Sequence, residues 1–108
     1  MNLYREQLKG IRFFTDQEGA AYHLCVVQLD FKMPRASFMK KLENEGIGTQ
    51  VHYIPIYKFP VFSKRSGDIS SYFPEMEAYY ASALSLPLYY DMSKEDVGRV
   101  SRTLEAML

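Results

Sequence analysis

The sequence predicts an α/β fold, a small sandwich whose three- to four-stranded sheet carries helices packed mainly on one face. Three observations predict it. Tyr22–Phe31 is apolar on both faces, with Tyr22, Leu24 and Val26 alternating against Cys25, Val27 and Leu29, as a strand inside a helix-covered sheet requires. Phe38, Met39 and Leu42 then recur at helical spacing and stop at Gly46. Finally, Ser93 stands three residues before Asp96, at the head of a segment that repeats Val97, Val100 and Leu104 on one side.

The remaining elements follow in order. Residues 2–9 read as the end of a helix, with Tyr4 and Leu8 on one face and Gly10 as its stop. That helix is too short to hold alone and reads as the tail of something longer. Ile11-Arg12-Phe13-Phe14 is a short strand, and Asp16–Gly19 is a turn. Pro34 fits the first turn of the helix carrying Phe38 and Leu42, where its missing N–H costs nothing. Ile47–Tyr53 is predicted as a second strand, followed by an irregular aromatic loop from Ile54 to about Phe73. Pro74 opens a helix whose inner face is Met76, Tyr79, Tyr80 and Ala83. Ser85-Leu86-Pro87-Leu88 is short and extended, and Pro87 confines it to an edge or a strand end.

With 108 residues the chain is one domain or less, and it can bury only a small core. Its formal net charge is zero with scattered basic residues, which argues against a nucleic-acid footprint. No apolar run has the length of a membrane span, and no signal-peptide pattern opens the sequence. The single cysteine, Cys25, excludes an internal disulfide and fits a reducing cytoplasm.

Val51-His52-Tyr53-Ile54-Pro55-Ile56 is the best candidate for ligand contact. An apolar strand end there meets an imidazole, a phenol and a proline that turns the chain out of the sheet. Tyr53 alternates to the side opposite His52. His23 and Cys25 share one strand face, but two ligands do not make a zinc site, and a thiol in an apolar strand is inert with a raised pKa. Asp16, Glu18, Glu75 and Glu77 form no acid/base pair, and the last two complement a helix N-terminus.

Five stretches recur in the order and spacing of one family: Tyr4-Arg5-Glu6-Gln7-Leu8, Tyr22-His23-Leu24, Gly46-Ile47-Gly48, Val51-His52-Tyr53-Ile54-Pro55 and Ser85-Leu86-Pro87-Leu88. In them the chain resembles the C-terminal small domain of the DegT/DnrJ/EryC1/StrS sugar aminotransferases over nearly its whole length. Its wording is most similar to the pseudaminic-acid-pathway transaminases. The resemblance implies a fold-type-I small domain at 11–108, with 1–10 the remnant of an inter-domain helix. It further implies a dimeric parent, pyridoxal phosphate as the parent's cofactor, glutamate as amino donor and a nucleotide-linked keto-deoxysugar as substrate.

The cofactor's lysine belongs to a large N-terminal domain in that family, so the resemblance implies no cofactor and no activity for this chain alone. Ser37-Phe38-Met39-Lys40-Lys41 imitates the family's lysine segment, but the position five residues after the serine is Leu42. Lys40 and Lys41 therefore read as a solvated helix face. The resemblance places His52 beside the active-site cleft, with Tyr53 and Tyr57 as further substrate contacts. Tyr57-Lys58-Phe59-Pro60 departs from the histidine and leucine-glutamine-proline of many relatives, which puts the identity of the sugar in doubt. Phe59, Val61 and Phe62 are expected to be exposed, or to drive self-association, when nothing covers them. The competing expectation is a standalone interaction or regulatory module that dimerises.

Overall fold

The computed structural model describes residues 1–14 and 17–108. Among the described residues there are five helices and a three-stranded antiparallel sheet of order β1-β2-β3. The elements are α1 (Asn2–Gln7), β1 (Arg12–Phe13), β2 (Cys25–Gln28), α2 (Arg35–Asn44), α3 (Pro60–Ser66), α4 (Pro74–Ser82), β3 (Ala83–Leu86) and α5 (Lys94–Met107). Short 3₁₀ turns at Ile56–Lys58 and Ser70–Tyr72 flank α3.

The core lies on one face of the sheet. Cys25 and Val27 of β2 and Leu84 and Leu86 of β3 meet Tyr4 and Leu8 at α1, Phe38 and Leu42 of α2, and Val97, Val100 and Leu104 of α5. Burial of one such leucine contributes roughly 1.5–3 kcal/mol. Tyr4 carries a polar atom into this core and satisfies it, its hydroxyl donating to the Pro87 carbonyl at 2.9 Å. Burial pushes that phenol far above its ordinary pKa. Val26, between the core-facing residues of β2, points to the other face, where α4 packs.

Two helix ends form as their local sequence dictates. Gly46 adopts φ 73°, its N–H bonds the Glu43 carbonyl at 2.8 Å, and the Ile47 N–H bonds the Leu42 carbonyl at 2.9 Å. This is a Schellman closure of α2, sealed by the buried pair Leu42 and Ile47. At the head of α5, Ser93 accepts from the Asp96 N–H at 3.1 Å and the Ser93 N–H donates to Asp96 at 3.0 Å, closing a capping box. Hydrogen bonds from Ser93 hold the Asp96 carboxyl below its ordinary pKa.

The structure corrects several expectations. The strand predicted over Tyr22–Phe31 is confined to Cys25–Gln28, because its two partners pair with it only over that reach. The strand predicted over Ile47–Tyr53 is a single bridge, Gln50 opposite Ser85. That register puts Gly48 opposite Pro87, which has no N–H to give. It puts His52 opposite Ala83, where the His52 carbonyl is taken by the Tyr79 hydroxyl and the Ala83 carbonyl by Arg35. The ladder therefore cannot extend either way. The stretch 54–73 is not an irregular loop: Pro60 at the first helical turn and Gly67 at φ 68° bound α3. Its apolar residues Val61 and Phe62 face solvent, so no core-facing periodicity announces it. Ala83 opens β3 instead of closing α4, and of the turn expected at Asp16–Gly19, Asp16 lies outside the described residues while Glu18 and Gly19 do turn.

Candidate functional site

His52 leaves the sheet immediately after the Gln50 bridge and is held at two points. Its Nδ1 lies 2.8 Å from the Ser85 Oγ on β3, and its carbonyl accepts from the Tyr79 hydroxyl of α4 at 2.7 Å. Tyr79 is itself braced edge-on against Phe14, ring centroids 4.5 Å apart, and burial raises its pKa. Tyr53 follows with its ring edge-to-face on the His52 imidazole at 4.7 Å. It does not pack on an opposite strand face; it is 65% exposed.

These groups line a cleft of about 600 Å³ on the sheet face away from the core, walled by Phe14, Val26 and Tyr79 and edged by His23, His52 and Tyr53. A smaller cleft of about 360 Å³ lies beside it, sharing His23 and His52 with the first and adding Ser85 to its wall. His52 thus stands between the two. The lining of the larger cleft contains no carboxylate, lysine or arginine among the described residues. What its described residues offer is aromatic surface with imidazole, phenol and amide hydrogen-bonding groups, suited to orienting a ring with hydroxyls.

Tyr57 lies apart from this lining. Its hydroxyl donates to Glu77 Oε1 at 2.6 Å, Lys58 binds the other carboxylate oxygen at 3.0 Å, and its ring stacks on Phe73 at 5.0 Å. Desolvation, reinforced by the Glu77 carboxylate, pushes the Tyr57 phenol up to about 12. The hydrogen bonds from Tyr57 and then Lys58 hold Glu77 below the ordinary carboxylate range. Glu77 therefore does more than complement a helix N-terminus: it ties the 3₁₀ turn at Ile56–Lys58 to α4. Sequence reasoning missed this role, and it passed over Ser85, although a serine inside the apolar run Ala83–Leu86 is a visible signal.

Other candidates resolve plainly. Cys25 is fully buried in the core, and burial raises its thiol to about 11. His23 precedes β2 and edges the clefts, so the two do not share a strand face. Among the described residues no group of three or more metal-ligating side chains comes together. No helix among them is long and apolar enough to cross a membrane. Lys40 is exposed and paired with Glu43 at 2.7 Å, Lys41 is exposed on the same helix, and Leu42 is buried in the core. The lining of the His52 clefts includes no lysine among the described residues, and so no amine there to form the imine that pyridoxal phosphate requires. Phe59, Val61 and Phe62 are 41%, 62% and 48% exposed.

The chain is 39% identical over 101 residues to the spore coat polysaccharide biosynthesis protein SpsC of Bacillus subtilis, covering 88% of this chain and 26% of that protein. It is 28% identical over 114 residues to the UDP-4-amino-4,6-dideoxy-N-acetyl-beta-L-altrosamine transaminase of Campylobacter jejuni, covering 99% of this chain and 30% of that enzyme. Spr1654 of Streptococcus pneumoniae, solved in its PLP-form, shares the fold with a TM-score of 0.87 at 22% identity, over 98% of this chain and 29% of its own. The chain thus spans under a third of the length of the proteins it matches. The sequence profile of the DegT/DnrJ/EryC1/StrS aminotransferase family matches residues 1–105, and the chain belongs to that family.

Proposed function

We propose that this chain is the small domain of a pyridoxal-phosphate-dependent aminotransferase and forms one wall of its substrate cleft. The substrate class is a nucleotide-linked keto-deoxysugar, the amino donor is glutamate, and the product feeds surface-glycan biosynthesis in the cytoplasm. The observation that carries this reading is the convergence of His52, Tyr53 and Tyr79 on one aromatic cleft. It is supported by the polysaccharide-biosynthesis and UDP-sugar transaminase names of the relatives.

Pyridoxal phosphate, when bound in the whole enzyme, supplies the electron sink for amino transfer. The residues of this chain orient the sugar. The imidazole of His52 hydrogen-bonds a sugar or phosphoryl oxygen and Tyr53 covers the ring, while Tyr57, tied to Glu77 outside the cleft lining, reaches the substrate only if it meets the part of the nucleotide that extends beyond the cleft. Binding energy gathered here is spent on orientation at the reacting carbon. Residues 1–10 connect to the rest of a homodimeric enzyme, and the exposed apolar face of α3 lies against it.

The test is kinetic, in the enzyme that contains this small domain, with a UDP-linked keto-deoxysugar and glutamate. His52→Ala is expected to raise KM for the sugar at least tenfold while leaving KM for glutamate near its starting value. An unchanged sugar KM would overturn the assignment. The chain alone, given pyridoxal phosphate and borohydride, is expected to show no stable reduced adduct; one mapped to Lys41 would overturn the division of labour.

A further inference from the structure

The Ser85 hydroxyl is an unusual group to find in β3. Ser85 is 4% exposed in a strand whose other residues are apolar and buried. Its N–H and carbonyl are both bonded to Gln50, at 2.8 and 3.2 Å. Among the described residues, the one hydrogen-bond partner of its hydroxyl is His52 Nδ1, 2.8 Å away. A hydroxyl has one proton to donate, and a buried one needs an acceptor for it. If Nδ1 carried the imidazole proton, Ser85 would accept it and its own proton would have no acceptor among the described residues. If Nδ1 is bare, both groups are satisfied by a single bond.

We infer that Ser85 donates to Nδ1 and thereby holds His52 as its Nε2–H tautomer, so that His52 presents the cleft with a fixed hydrogen-bond donor for an oxygen acceptor of the ligand. The Nε2 nitrogen has no hydrogen-bond partner among the described residues, and His52 borders both clefts. Tyr79 completes the hold from the other side by fixing the His52 carbonyl, so the ring is anchored through its side chain and its backbone. A nitrogen that already carries its proton cannot take one from a substrate. His52 therefore contributes recognition of a sugar hydroxyl, carbonyl or phosphoryl oxygen, and not base catalysis, and Ser85 is its positioning residue. This rests on the reading of His52 as a ligand contact, but the tautomer itself needs no ligand to be measured.

The experiment is a two-bond proton–nitrogen correlation spectrum of the ¹⁵N-labelled chain, recorded above the titration of its two histidines, with His23→Gln to assign them. The expected pattern for His52 is an acceptor-type shift at Nδ1 and a protonated-type shift at Nε2. In Ser85→Ala the two shifts are expected to move toward each other as both tautomers become populated. A protonated Nδ1 in the native chain overturns the inference, and so does a folded Ser85→Ala with an unchanged pattern. Should Ser85→Ala unfold, the native chain decides through the Ser85 hydroxyl proton. A slowly exchanging signal with a cross-peak to the His52 ring supports the donation, and its absence in a spectrum that resolves other buried hydroxyls overturns it. If instead His52→Ala leaves the sugar KM unchanged, the ligand reading fails while the tautomer result stands.

Discussion

Tyr79 donates its hydroxyl proton to the main-chain carbonyl of His52 at 2.7 Å, and so takes the acceptor that a longer sheet ladder would have used. One phenol on α4 thereby ends the pairing beyond Gln50 and sets where the histidine leaves the sheet. Tyr79→Phe keeps the ring against Phe14 and removes only this bond. The expected loss is about 1 kcal/mol of stability, read by urea unfolding with an unchanged slope. The same variant is expected to broaden the His52 ring signals, since its backbone anchor is gone.

Gly46 is required by its backbone and not by crowding. A Cβ added there would meet only the Arg99 guanidinium, at 3.7 Å, but φ is 73°. Gly46→Ala is expected to cost about 1–2 kcal/mol, the penalty of a left-handed conformation with a side chain. Gly48→Ala, with nothing near its Cβ and no positive φ, is expected to unfold at nearly the native denaturant midpoint. Equal effects at the two sites would contradict the Schellman account.

The Tyr57–Glu77 bond has a pH window. Glu77 is depressed by its hydrogen bonds from Tyr57 and Lys58, so its contribution is present above the unfolded carboxyl value near 4.3 and is lost as pH falls through its lower folded value. Tyr57 is raised, so its contribution is present below the unfolded phenol value of roughly 10 and is lost as pH rises toward about 12. The near-ultraviolet difference titration between the native chain and Tyr57→Phe isolates this phenol. Glu77→Gln is expected to bring its midpoint down, because a neighbouring negative charge has been removed. No movement would mean that the carboxylate contributes nothing to the shift.

The apolar face of α3 also makes a prediction. Val61 and Phe62 are exposed, and Ile56 beside them in sequence is 67% exposed. The chain alone is expected to associate weakly and reversibly in sedimentation experiments, and Val61→Lys with Phe62→Lys is expected to leave a monomer with an unchanged fold. A tight symmetric dimer unaffected by that pair would favour the interaction-module reading instead.

Much of the fold is written in short stretches of residues. The Gly46 closure, the Ser93–Asp96 box, Pro74 at a helix start and the apolar centre of the Cys25–Gln28 strand each depend on neighbours within a few positions. Torsional preference and local capping act at that range, which is why these features are legible without coordinates, and the family resemblance rides on the same local tags. The site is different. Ser85 reaches His52 across 33 positions, Tyr79 reaches it across 27, and Glu77 reaches Tyr57 across 20. Those partners meet only because α4 and β3 return the chain beside its own earlier segment. Whether Ile47–Tyr53 became a strand depended on which carbonyls Tyr79 and Arg35 had already claimed, and no local pattern records a competition between residues so far apart.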